Sequence, residues 1–281
     1  MTTAPAMLGI IAGGGALPVA LARRCKAHNR PFLVIRLRGF ADQSFEELPG
    51  HEAGIAETGK ILDLLKQHNC RSVCLVGYVK RPDLHALKPD WRGVKFLGGA
   101  VAAAQGGDDA LMRYVVQFFE QQGFTVEGAD DVDDNLALPA GVLGSTPAPD
   151  SARGDIERAL EVARAIGSMD IGQGAVVVGG LVIAVEAQEG TDAMLKRCAA
   201  LPQDIRGTAE ARRGVLAKCA KPIQELRIDL PTIGVATVEA AASAGLAGIV
   251  GEAGRMLVLD REAVIRAADR LGVFILGVEA P

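Results

Sequence analysis

The chain has 281 residues, of which 49% are hydrophobic, 23% charged and 4% aromatic. A chain of this size is expected to hold one large or two modest domains and to bury enough surface to fold without a disulfide or metal staple. Thirty Lys and Arg against 34 Asp and Glu leave a net charge of −4, which excludes a broad basic surface for nonspecific nucleic-acid binding while leaving local anion pockets open.

Five cysteines, Cys25, Cys70, Cys74, Cys198 and Cys219, form an odd set without a CxxC pair. That usage argues for reduced thiols in the cytosol. The first residues lack a basic n-region, and the apolar stretch after them breaks at Gly13-Gly14-Gly15, so no signal peptide is expected. The uncharged run 171–185 contains several glycines and falls short of the roughly 20 residues a membrane-spanning helix needs. A soluble protein with access to a membrane surface is the expectation.

Leu8–Ala12 reads as a strand ending in Gly13-Gly14-Gly15, and Leu17, Ala20, Leu21 and Cys25 follow at helical spacing. Residues 31–37 read as a second strand. Thr58 is placed to cap a helix carrying Ile61, Leu62, Leu64 and Leu65, and Ser72–Val76 reads as a third strand ending at Gly77. Such alternation builds a parallel sheet. Asp108 or Asp109 then starts a helix with Leu111, Tyr114, Val115, Phe118 and Phe119 on one face, and 124–126 supplies another strand.

Between 130 and 154 the pattern changes to four aspartates followed by Pro139, Pro147 and Pro149 among small residues. The expected division is a Rossmann-like parallel-sheet domain over 1–134, a linker over 135–154, and an α/β domain with a mixed sheet over 155–281. In the second domain, 156–166 reads as a helix, and the runs 175–178 and 181–186 form a hairpin across Gly179-Gly180. Further strands are expected at 215–219, 226–230, 256–259 and 273–276, with a helix over 262–271.

Several residues are candidates for chemistry. Gly13, Gly14 and Gly15 lie between a strand and a helix, where backbone N–H groups can approach a phosphate; a tight turn explains them equally. Pro18 at the third glycine position and the absence of a ribose-binding acid near 32–38 speak against a dinucleotide fingerprint. Lys80 and Arg81 follow the third strand, as a pyrophosphate neutraliser or a solvated loop. Asp108 and Asp109 suit a metal, a ribose or a helix cap. In 221–231, Leu226, Ile228 and Leu230 alternate with Glu225, Arg227 and Asp229, which as a strand would put three charges on one face. With Glu189, Gly190, Thr191 and Asp192 in the same half of the chain, they suggest an oxygen-rich Mg²⁺ site with cationic neighbours; a solvated outer face accounts for them too. His28, His51, His68 and His85 have no zinc-type spacing.

Taken together, Leu8-Gly-Ile-Ile-Ala-Gly-Gly-Gly-Ala-Leu-Pro18, Gly77-Tyr-Val-Lys-Arg-Pro82, Gly107-Asp-Asp-Ala-Leu111, Ala184-Val-Glu-Ala-Gln-Glu-Gly-Thr-Asp192 and the segment from Lys221 to Gly234 resemble one family. It is the UDP-2,3-diacylglucosamine pyrophosphatases that replace the calcineurin-like enzyme in many Gram-negative lipid A pathways. The resemblance implies Mg²⁺-dependent hydrolysis of UDP-2,3-diacylglucosamine to UMP and 2,3-diacylglucosamine 1-phosphate (lipid X), by attack of water on the sugar-side phosphorus. It also implies an N-terminal UDP-binding domain and a C-terminal lipid X hydrolase domain. The family pattern reads Lys-Pro-Gly-Gln-Asp where this chain has Ile223 and Glu225 in place of the glycine and aspartate. Either the backbone accommodates the longer Glu225 or Asp229 carries more of its task.

On this resemblance Glu225 and Asp229, with Asp192, are assigned to Mg²⁺ or to water. Lys221, Arg227, Lys80 and Arg81 face phosphate oxygens, while Gly13 to Gly15, Asp108, Asp109, Gly190, Thr191 and Gln224 bind substrate. The expected partners are a lipid-linked UDP-sugar, the cytoplasmic face of the inner membrane and a second copy of the chain, with no nucleic acid. The competing readings are a nucleotide-dependent oxidoreductase and a non-catalytic UDP-sugar or lipid sensor.

Overall fold

A computed structural model describes residues 6–41, 50–80, 87–222 and 224–280. Arg81, Pro82, His85 and Ile223 lie outside the described residues. The chain forms two compact units: the first comprises Met1–Asp134 together with Arg227–Asp229, the second Asn135–Leu226 with Leu230–Pro281.

In the first unit, β1 (Leu8–Ala12), β2 (Phe32–Leu37), β3 (Gly50–Ala53), β4 (Ser72–Val76) and β5 (Thr125–Val126) make a parallel sheet in the order β3-β2-β1-β4-β5. Every residue of β1 is buried, as in a sheet covered on both faces. Helix α1 (Ala16–Ala27) lies against β1 and β2. On the face carrying Ile11, Ile35 and Val73, α2 (Thr58–Gln67) contributes Ile61, Leu62 and Leu65, and α4 (Asp108–Gln121) contributes Val116 and Phe119. The 14-residue α3 (Trp91–Ala104) is capped by Asp90, whose carboxylate accepts from the Gly93 amide at 2.7 Å. It was not foreseen, because its Ala- and Gly-rich sequence buries only Gly93 of its residues. Thr58 is the first residue of α2, not its cap, which is Glu57. The short α5 (Ala129–Val132) closes the unit.

The second unit carries a mixed sheet in the order β6-β13-β11-β9-β7-β8. Its strands are β6 (Gly141–Leu143), β7 (Gly174–Val178), β8 (Leu181–Val185), β9 (Val215–Lys218), β11 (Gly248–Glu252) and β13 (Phe274–Val278). The period-two alternation sorts their residues cleanly. Ala175, Val177, Val215, Ala217 and Phe274 pack with Ile156, Ala159, Leu160 and Ala163 of α6 (Arg153–Ser168). Val176, Val178, Leu216, Ile249 and Ile275 pack with α7 (Gly190–Ala199), α8 (Val235–Ser243) and α9 (Arg261–Leu271). The β7–β8 hairpin turns at Gly179 and Gly180, both at positive φ as a type I′ turn requires, and their amides donate to the Asp155 carboxylate.

Two expectations change here. Residues 135–154, read above as a linker, belong to the second unit: Leu138 is in its core, and β6 pairs antiparallel with β13 along the sheet edge. The strand expected over 226–230 does not form. Residues 226–228 are a turn; Leu226 is 38% exposed, while Ile228 packs on the core of the first unit. Pro231 has no N–H to give a ladder, and pairing begins just after it, where β10 (Thr232–Ile233) meets β12 (Leu257–Val258).

Candidate active site

Each sheet presents an edge where strands end and loops begin, and the two edges are built from different materials. In the first unit the strand order reverses between β1 and β4, the crevice where open α/β sheets take ligands. The loops leaving those strands are tied together: the Gly14 amide donates to the Tyr78 carbonyl at 2.9 Å, the Tyr78 amide to the Gly14 carbonyl at 3.0 Å, and the Gly13 amide to the Val76 carbonyl at 2.8 Å. A Cβ at Gly13 would stand 2.6 Å from the Tyr78 carbonyl oxygen, and one at Gly14 2.7 Å from both the Phe40 carbonyl oxygen and the Tyr78 ring. Close approach of the Tyr78 segment therefore requires both glycines.

The amides of Gly13 and Gly14 are thus bonded within the unit, as in the tight turn weighed above. The loop delivers to the crevice the N-terminus of α1, whose first amides have no intrahelical acceptor and whose dipole favours an anion. Gly15 precedes it at φ +92°. Tyr78, 57% exposed, rests its ring on this turn, and Lys80 is exposed two residues on. Sequence reasoning passed over Tyr78, although an aromatic between a strand-ending glycine and a lysine was the available signal.

Asp108 and Asp109 occupy the first turn of α4, but the cap is Gly107 and neither side chain caps it. The capping expectation is replaced by a helix-dipole role, with Asp109 buried. Arg227 and Asp229 belong to this same unit, and the Arg227 guanidinium donates to Glu120 at 2.7 Å.

In the second unit the edge is lined by buried charge. Glu186 follows β8, Lys218 ends β9 and Glu252 ends β11; all three are buried, Glu186 at 6% and Lys218 at 4% exposure. Lys218 Nζ donates to Thr191 Oγ1 at 2.7 Å and to the Thr232 carbonyl at 3.3 Å, and Thr191 Oγ1 donates to Glu186 Oε1 at 2.8 Å. Arg164 meets Glu252 at 2.8 Å. Burial pushes the neighbouring Cys219 thiol up to about 12. Thr191 and Asp192 lie in the first turn of α7, entered through Gly190 at φ +79°, and Asp192 is exposed.

Lys221 is held at both ends: its amide donates to Gln224 Oε1 at 2.7 Å and its ammonium to Asp170 at 2.5 Å. Gln224 is buried and Glu225 half-buried beside it. Glu225, Arg227 and Asp229 do not share one strand face as expected, since Arg227 and Asp229 belong to the first unit and Glu225 to the second. Among the described residues no three of His, Cys, Asp or Glu are grouped to hold a metal ion. Glu186 and Lys218 were missed because a charged residue closing an apolar run reads as the end of a strand. For Lys218 the available signal was a charge closing the short apolar run of β9, which is buried throughout.

A parallel sheet with a reversal of strand order in one unit and a mixed sheet with buried charges along one edge in the other define a two-domain α/β protein. The chain belongs to the LpxI family: the LpxI N-terminal domain matches residues 7–136 and the LpxI C-terminal domain residues 139–276. It is 62% identical over 273 residues, 97% of each chain, to the UDP-2,3-diacylglucosamine pyrophosphatase LpxI of Caulobacter vibrioides. A GalE-like L-threonine dehydrogenase from Cupriavidus necator aligns with 98% of this chain and 86% of its own at 9% identity, with a TM-score of 0.31, too low to carry an inference.

Proposed function

We propose that this protein hydrolyses the pyrophosphate of UDP-2,3-diacylglucosamine, releasing UMP and 2,3-diacylglucosamine 1-phosphate in lipid A biosynthesis. The observation that carries this reading is the 62% identity to the named pyrophosphatase across 97% of both chains. Cleavage of a pyrophosphate develops charge on the equatorial and leaving oxygens, so the protein acts mainly by positioning and by electrostatics. The α1 N-terminus behind Gly13 to Gly15, with Asp108 and Asp109, takes the UDP half. Lys221, Arg227, Lys80 and Arg81 neutralise phosphate oxygens; Gln224, Gly190 and Thr191 hold the sugar phosphate. Glu225, Asp229 and Asp192 orient water or bind Mg²⁺. A magnesium ion is commonly held by one or two carboxylates together with substrate phosphates, so hard oxygen donors of this kind suit it without a preformed cage; when bound, it withdraws charge from the phosphates.

The substrate's acyl chains place the enzyme at the cytoplasmic face of the inner membrane. Among the described residues no helix is long and apolar enough to cross a membrane, but α3 offers an interfacial face. Trp91, 84% exposed, shares that side with exposed Val94 and Val101, and Lys88, Arg92 and Lys95 are exposed close by in sequence. An apolar stripe with cations beside it suits an anionic leaflet. A symmetric homodimer, the commonest closed assembly, completes the reading; light scattering at twice the chain mass is expected, and a single-chain mass contradicts it.

The deciding experiment incubates purified protein with radiolabelled UDP-2,3-diacylglucosamine, with Mg²⁺ or with chelator. UMP and the sugar 1-phosphate should appear in the first arm and not in the second. Substrate recovered intact from both arms contradicts hydrolysis and leaves a non-catalytic binder. Flotation with anionic vesicles should carry the protein upward, and protein remaining at the bottom contradicts the membrane reading.

A further inference from the structure

The second-unit edge sets Thr191, assigned above to the sugar phosphate, against two buried charges that those assignments do not use, Glu186 and Lys218. Thr191 is half-buried, and behind it stand a carboxylate and an ammonium that are both more than nine-tenths buried. Withdrawing such charges from water costs several kcal/mol each, which only well-formed hydrogen bonds and opposite charge offset. Glu186 Oε1 is engaged by Thr191, whereas Glu186 Oε2 is buried with no hydrogen-bond partner.

The direction of the bonds is determined by chemistry. An ammonium can only donate, so Thr191 Oγ1 accepts from Lys218, and its single proton points at Glu186 Oε1. A hydroxyl has one proton and two lone pairs. One lone pair takes Lys218, and the second can accept a further proton. The hydroxyl sits in the first turn of α7, where the helix dipole favours negative charge.

We propose that Thr191 relays a proton from the attacking water to Glu186, with Lys218 stabilising the charge in transit; the proposal rests on the hydrolytic reading above. As water oxygen forms its bond to the sugar-side phosphorus, its proton passes to Thr191 Oγ1 and the Thr191 proton passes to Glu186 Oε1. The bond from that phosphorus to the bridging oxygen breaks, and its electron pair leaves on UMP. Glu186 then returns its proton to solvent through Thr191, restoring the starting state. Thr191 meets the reacting water directly, while Glu186 and Lys218 act through it.

The test compares wild type with Thr191→Ser, Thr191→Val and Glu186→Gln on UDP-2,3-diacylglucosamine, with thermal unfolding as the folding control. Thr191→Val and Glu186→Gln should lower kcat by about 10²–10⁴-fold, the usual range for a lost general base, with KM little changed. Thr191→Ser, which keeps the hydroxyl, should retain most of the rate. In mixtures of H₂O and D₂O the wild-type rate should depend on deuterium content along a curve, because two protons move together. If Thr191→Val does not fold, the serine variant and the proton inventory decide. Wild-type kcat in Thr191→Val, a change confined to KM, or a linear inventory overturns the relay while leaving hydrolysis intact. A wild type that leaves substrate whole removes both.

Discussion

The edges of the two sheets are built in opposite ways. The first uses backbone: two glycines let the loops after β1 and β4 touch, and the result is a shaped crevice with a helix end, an exposed tyrosine and a lysine. The second uses side chains, bringing Glu186, Lys218 and Glu252 into the interior at the ends of otherwise apolar strands. Shape made from backbone costs little desolvation and suits recognition. Buried charge is expensive, and it suits a step in which charge or a proton moves.

Substitutions can break this contrast. The largest effect is expected at Lys218→Met, which removes the buried ammonium that donates to Thr191 Oγ1 and to the Thr232 carbonyl. Two hydrogen bonds to a charged group, at roughly 1.5–3 kcal/mol each, are lost, so urea unfolding should show a loss of about 3–5 kcal/mol, and a stability equal to wild type would show that the buried ammonium does not support this edge. In the first unit, Gly13→Ala forces a Cβ to within 2.6 Å of a backbone oxygen. Overpacking of that kind costs about 1–3 kcal/mol, and calorimetric titration should also show weaker UMP binding. Unchanged UMP affinity would detach the glycine turn from the nucleotide.

A smaller effect sharpens the contrast away from either edge. Burial pushes the Asp90 carboxyl up, but the amides of Gly93, at 2.7 Å, Lys60, at 3.0 Å, Gly59 and Arg92 together outweigh it and hold its pKa below the ordinary value of 3.8. A lowered folded-state pKa means that this stabilisation is present at neutral pH and is lost as pH falls below about 3.8, through the folded value. Asp90→Ala should therefore cost about 1 kcal/mol at pH 7, and wild type and variant should converge in acid unfolding curves. The smallest effect concerns the cysteines, all five buried and unbridged. Burial pushes the Cys70 thiol up to about 11 and Cys219 up to about 12. Native protein at pH 8 should resist iodoacetamide at both sites and react there after denaturation, as peptide mass mapping would reveal.

Much of the architecture was readable because apolar spacing and glycine chemistry are local. β1, β2, β4, β7, β8, β9, α6 and α9 fall where their periodicity places them, and the Gly179-Gly180 turn has the positive φ values the hairpin needs. What escaped depends on contacts far along the chain. The alternation in 226–230 mimics a strand, but Leu226 faces solvent while Ile228 packs on the core of the first unit. Helix α8 has alanine on nearly every side and shows little periodicity, and β6 is a short stretch among prolines and glycines. The same holds for function. The glycine turn and Thr191 were visible as motifs, yet Glu186 and Lys218 gain meaning only when strands 30 residues apart in sequence bring their ends to the hydroxyl of Thr191.

The division of labour is tested most directly by steady-state kinetics of Gly13→Ala and Thr191→Val on UDP-2,3-diacylglucosamine, measured side by side. The account predicts that the first variant loses efficiency mainly through a raised KM and the second mainly through a lowered kcat. Losses falling on the same parameter in both variants would contradict it.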